Sequence, residues 1–221
     1  MSSGKYTRIP AALRTPREEY VDAGLHGFGC LMSVVGGFVL IPIAIDRGDP
    51  YCLAGCVVYI ISIVATFAAS TLSHLYLSFN VNKFFRKLDQ AVIYWMIVGT
   101  FSPFVLTFLR NSTLWMLFYG VTVAVAIWGF VSKMALEHRL DGISVFLYVV
   151  LGMTQGVSLV PLLQVLPTSS VINILLGGIC YLSGTYFLVK DVRKYRYHSI
   201  WHLLVLGGCA FHYYAVLLAI S

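Results

Sequence analysis

His198 and His202 stand four residues apart in the stretch HSIWH. On a helix that interval puts both imidazoles on one face, about 5–6 Å apart at Cβ, which suits two ligands of one metal ion. Ser70 and His74, in STLSH, repeat the interval, so Ser70 looks toward whatever His74 serves. Three imidazoles and an open position are the ligand set of a catalytic zinc. Imidazole also suits copper, iron and nickel, so the ligands favour Zn2+ without excluding those metals. Asp89 belongs in the outer shell, where a carboxylate can accept a hydrogen bond from water at the metal or orient a ligand.

The elements that must position these residues are helices in a membrane. The chain of 221 residues is 59% hydrophobic and 11% charged, with a mean hydropathy of +0.83. A soluble domain of this length carries roughly twice that charge. Crossing the hydrocarbon core takes about 20 apolar residues. The uncharged runs predict helices at about 23–45, 51–79, 89–109, 111–133, 142–163, 169–190 and 197–220. The long run between the fourth and last helices divides at QVLPTSS, where Pro167 and small polar residues supply a turn. The expectation is an all-α, seven-transmembrane-helix bundle spanning 23–221, after a cytoplasmic tail of residues 1–22. A transmembrane barrel would alternate apolar and polar residues with period two; VTVAVAIWGFV does not.

Basic residues orient the bundle. Lys5, Arg8, Arg14 and Arg17 precede the first helix, Lys83, Arg86 and Lys87 follow the second, Lys133 and Arg139 the fourth, and Lys190, Arg193, Lys194 and Arg196 the sixth. The opposite loops hold only Arg47 and Arg110, a split of 13 against 2. The positive-inside rule then puts the N-terminus in the cytoplasm and the C-terminus outside. With that orientation, His74 ends the second helix on the cytoplasmic side, Asp89 opens the third, and His198 and His202 open the last. Four groups on three helices share one depth, although only Lys and Arg were used to orient the chain. One histidine in an apolar stretch is ordinarily a hydrogen-bonded interior residue; ionisable groups gathered at one depth point to a site. His212 fits the first description. It lies about 15 Å beyond His202 along the axis and off the shared face.

Glu19, Asp22 and His26 share another helical face, at i, i+3 and i+7. They read either as an outer shell or gate to the site or as a polar helix cap. Cys30, Cys52, Cys56, Cys180 and Cys209 are odd in number, lie in apolar stretches and form no CxxC pair, which argues against a zinc ribbon or disulfide framework. No apolar leader precedes the first helix, which would act as an uncleaved anchor. The net charge of +6 is accounted for by topology and does not point to nucleic acid.

Four segments resemble the hemolysin III branch of the progestin and adipoQ receptor superfamily: EEYVDAGLHGFG, STLSHLYLS, KLDQAVIYWMIVGTFSPF and HSIWHLLVLGGCAFHYYAV. The likeness runs from about Glu18 to Ala219. It implies a seven-helix bundle with a zinc near the cytoplasmic side, held by His74, His198 and His202, with Asp89 beside the metal's water and Ser70 nearby. Two departures stand out. Asp22 occupies a position where asparagine is usual, and Gln90 follows Asp89 where histidine is common.

A three-histidine zinc lowers the pKa of its water to about 7 and polarises a carbonyl. Asp89 could move the proton, and Ser70 could donate to a developing oxyanion. The expected chemistry is hydrolysis of a lipid amide or ester. The resemblance implies a ceramide-like substrate, and a role in membrane lipid homeostasis at the plasma membrane. The alternative is a non-enzymatic sensor with a structural zinc and a lipid effector. A pore-former is a third reading, but it would need a polar stripe through several helices, and the fourth and fifth lack one. Membrane lipids are the expected partners; nothing in the sequence sets an oligomeric state.

Overall fold

The computed structural model describes residues 15–75, 79–136, 141–190 and 196–221. The tail residues up to Arg14, and Arg139, Arg193 and Lys194 of the charge pattern, lie outside the described residues. The elements are α1 (Pro16–Asp46), α2 (Pro50–His74), α3 (Phe79–Phe104, continued by a π-turn at Val105–Leu109), α4 (Thr113–Leu136), α5 (Asp141–Val157), a short α6 (Leu159–Leu162), α7 (Thr168–Lys190) and α8 (Arg196–Ile220). Among the described residues, seven helical spans are long and apolar enough to cross a membrane, the fifth made of α5 and α6 together. No strand occurs among the described residues.

Local chemistry sets the helix ends. Thr15 caps α1, with Pro16 in its first turn and a capping box closed by Glu18. Gly48 adopts φ +69° between α1 and α2, a left-handed conformation that glycine takes without steric penalty. Asp49 then caps α2 through Tyr51 N, 3.0 Å away. Two helices start earlier than the apolar runs. α1 begins at Pro16, ahead of the expected 23, and α3 at Phe79, ahead of 89. An apolar count marks the part that lipid can cover; a capped helix continues through polar residues that water can solvate. Lys83, Arg86 and Lys87 therefore sit on α3 and not in a loop.

α2 lies at the centre, packed along α1 and α3; α7 packs along α8, and α8 leans on α1. In lipid, apolar surface gives helices little reason to associate, and close packing with interhelical hydrogen bonds takes over. Tyr59, Phe67, Leu40 and Val216 are buried in the core, whereas Phe38, Leu114 and Ile179 face outward. Gly55 lets α2 meet the α3 backbone: a Cβ there would stand 2.8 Å from Pro103 Cα. Tyr213 Oη donates to Gly36 O at 3.0 Å, joining α8 to α1. Ser170 Oγ donates to Ala215 O at 2.7 Å, joining α7 to α8, and Gln155 Nε2 donates to Ile97 O at 2.7 Å, joining α5 to α3. At the end of the bundle away from His74, Arg110 pairs with Asp49 and Arg47 donates to Ile220 O at 3.0 Å.

Candidate metal centre

The i, i+4 pair on α8 and the last residue of α2 meet at one point. His74 Nε2 lies 3.4 Å from His198 Nε2 and 3.2 Å from His202 Nε2. All three are buried, at 3%, 7% and 0% exposure, so water does not account for their polar edges. One imidazole lone pair cannot accept from two N–H groups at once, whereas a cation between the rings satisfies all three. Two nitrogens bound to a tetrahedral ion at 2.0–2.1 Å stand about 3.3–3.4 Å apart. The observed spacings match that edge length, so the residues fit a metal ion.

Asp22 completes the group. Its carboxylate and the three imidazoles offer donor atoms that all lie within 4.8 Å of one another. Ser199 Oγ donates to Asp22 Oδ1 at 2.5 Å and fixes that carboxylate. α1 therefore contributes a donor. The spacing of Asp22 alone leaves it either in an outer shell or gate or in a polar helix cap, and does not show how far the first turns of α1 lean into the bundle.

Glu19, one turn earlier, braces a candidate ligand. Its Oε2 is 2.7 Å from His74 Nδ1. A carboxylate there holds the proton on Nδ1 and leaves the Nε2 lone pair facing the other histidines. Arg86 Nη2 donates to Glu19 Oε1 at 3.2 Å, and Arg86 Nε donates to Asn82 Oδ1 at 2.5 Å. Asn82 Nδ2 in turn reaches Ser73 O and Leu75 O, each at 3.2 Å, where α2 ends. A polar chain thus runs from His74 through α1 and α3 back to the C-terminus of its own helix. Sequence reading counted Arg86 only as an orienting charge and did not single out Asn82, Ser73 or Ser199; the one available signal was that Asn82 and Arg86 share an i, i+4 face.

The remaining candidates sit around this core. His26 packs its ring edgewise on His202, with centroids 3.9 Å apart, and on Phe67 at 5.2 Å. Asp89 is half-buried and accepts from Ser73 Oγ at 3.2 Å. Ser70 is fully buried, and its Oγ has no hydrogen-bond partner among the described residues. His212 is elsewhere, stacked on Tyr181. A cavity of about 460 Å³ lies beside the centre, lined by His26 and Asp89 and continuing past Trp201, Met96 and Phe101 to Leu162. That volume is within the usual range of small-ligand sites, about 300–1,000 Å³.

Among the described residues, seven helices long and apolar enough to cross a membrane, with three buried histidines and an aspartate that could hold a metal ion, define the class: a multi-pass membrane protein with a candidate metal centre between its helices. The chain belongs to the haemolysin-III related family, whose sequence profile matches residues 14–213. It is 33% identical to Hemolysin-3 of Bacillus cereus over 201 residues, covering 91% of each chain. It is 30% identical to the Hemolysin-3 homolog of Bacillus subtilis (strain 168) over 208 residues, covering 92% of this chain and 94% of the relative. A more distant relative is the human monocyte to macrophage differentiation factor, 24% identical over 95% of this chain and 88% of the relative. No solved structure matches the chain significantly.

Proposed function

We propose that this protein is a zinc-dependent hydrolase of a lipid amide or ester, ceramide-like in class, acting in membrane lipid homeostasis. The observation that carries the reading is the meeting of three buried imidazole nitrogens, at 3.2 and 3.4 Å from His74 Nε2, beside a long cavity. Zinc held by His74, His198 and His202 would supply Lewis acidity toward a carbonyl and an activated water. Asp89 lines the cavity and takes up a proton at its carboxylate, then returns it to the leaving group. Ser73 orients that carboxylate. Ser70 Oγ has no competing partner among the described residues and is available to an oxyanion. The Met96, Phe101 and Leu162 wall suits a hydrocarbon tail. We place the protein in the plasma membrane with its N-terminus and metal centre toward the cytoplasm and its C-terminus outside, on the 13-to-2 division of basic residues.

The test is incubation of the purified protein in nanodiscs with a panel of ceramides and lipid esters. Fatty acid should be released by wild type and not by His198→Ala. Elemental analysis should find about one zinc per chain, lost in His202→Ala; a metal-free wild type would sink the centre itself.

One observation favours a second reading, a sensor with structural zinc. Asp22 supplies a fourth protein donor, and structural zinc sites are ordinarily closed by four. Asp22→Asn separates the two. A hydrolase with an open position should keep its zinc affinity within a few-fold, whereas a closed site should lose tenfold or more, read by chelator competition. The relatives called Hemolysin-3 raise a pore as a third reading. Liposome leakage that persists without the histidines is the result that would support it.

A further inference from the structure

Besides His26, the cavity wall carries one imidazole, His212, which the metal centre does not use. On α8 the wall runs through Trp201, Val205 and His212, so His212 stands about 15 Å along the helix from His202. It is 8% exposed, and its Nδ1 has no hydrogen-bond partner among the described residues. Packing explains where the ring lies. It stacks on Tyr181, with centroids 5.3 Å apart and planes 11° from parallel. Gly177 on α7 makes the room, since a Cβ there would be 2.5 Å from the ring's Cδ2. Packing does not explain why the ring is an imidazole. A phenyl group would stack as well and leave no buried nitrogen unpaired, a costly state in an apolar interior. The polar neighbours are engaged elsewhere: Tyr181 Oη lies 3.2 Å from Cys209 Sγ, and the Thr100 hydroxyl donates to Met96 O at 2.8 Å.

We propose that His212 is a second polar subsite, which recognises a hydroxyl group carried mid-chain by a lipid whose head lies at the metal centre. The proposal rests on the lipid reading given above. An alcohol both donates and accepts, so it can serve either tautomer of the ring. The separation from His202 sets the ligand class: a hydroxyl next to the carbonyl would lie at the metal, far from His212, whereas one near the middle of a long acyl chain would reach it. His212 would then discriminate among lipids by their tails while the metal acts on their heads.

The test is competition against radiolabelled stearate on the metal-loaded protein in nanodiscs. The competitors are stearate, stearate hydroxylated at a middle carbon, and stearate hydroxylated beside the carboxyl. The mid-chain alcohol should compete about tenfold better than stearate, the effect of one well-placed hydrogen bond, and the other alcohol should gain nothing. His212→Phe should erase the advantage while binding stearate normally and keeping its zinc; His212→Gln should retain part of it. Equal competition by all three acids in wild type overturns the subsite and leaves the lipid reading standing, as does a His212→Phe variant that loses stearate and the alcohol by the same factor. If labelled stearate does not bind wild type at all, the lipid reading fails and the subsite with it.

Discussion

The Glu19 carboxylate beside His74 Nδ1 sets which ring edge of His74 faces the centre. Glu19→Gln keeps an acceptor but loses the charge, and partners of this kind are worth about 10–100-fold in metal affinity. We expect a fall of that size for zinc in chelator competition, and a smaller one for Arg86→Met, which removes the group that orients Glu19. The meeting of the three histidines was legible in the sequence because i, i+4 spacing fixes a helical face and successive helices running in opposite directions bring the end of α2 level with the start of α8. Asp22 was legible only as a member of a polar face. Its place beside the histidines depends on how α1 packs against α2 and α8, where Gly29 faces Phe67 and Leu206 so closely that a Cβ would stand 3.0 and 2.6 Å from them. No local pattern encodes that approach.

Helices α2 and α3 touch along their backbones at Gly55, within reach of Ser102 and Pro103. Gly55→Val adds atoms where the neighbour is main chain, which cannot turn aside. Overpacking of this kind costs about 1–3 kcal/mol, and a lowered unfolding temperature in detergent should report it. The π-turn that follows Pro103 had a proline as its only sequence signal, and proline alone does not say whether a helix kinks, stops or widens. At the same end of the bundle, the Arg110 guanidinium hydrogen-bonded to Asp49 holds the Asp49 carboxyl below the usual carboxylate range. A depressed pKa stabilises the fold above the unfolded value, near 3.8, and that contribution is lost as pH falls through the lower folded value. Thermal melts from neutral to strongly acidic pH should show an acid loss in wild type that is reduced in Asp49→Asn. The effect should weaken with salt, because the pair is partly exposed.

At the scale of the whole molecule, topology is the quantity to measure. Alkaline phosphatase fused after Ser221 should be active and a cytoplasmic reporter at the same point should not, if the basic residues orient the chain as proposed. The number of membrane helices was readable from apolar runs alone, because lipid imposes a minimum length on each. The order in which they pack was not readable, because every helix is apolar on most of its surface and the specific contacts come from scattered small and polar residues. The centre joins His74 to histidines 124 and 128 positions further on, and α8 leaves the ribosome after every other described helix. A nascent chain that has inserted only α1 to α7 owns one of the three imidazoles, so the candidate centre assembles only once α8 is in place. An ion held there would staple α8 to α1 and α2. Its occupancy would then report that helices made far apart in time had found one another.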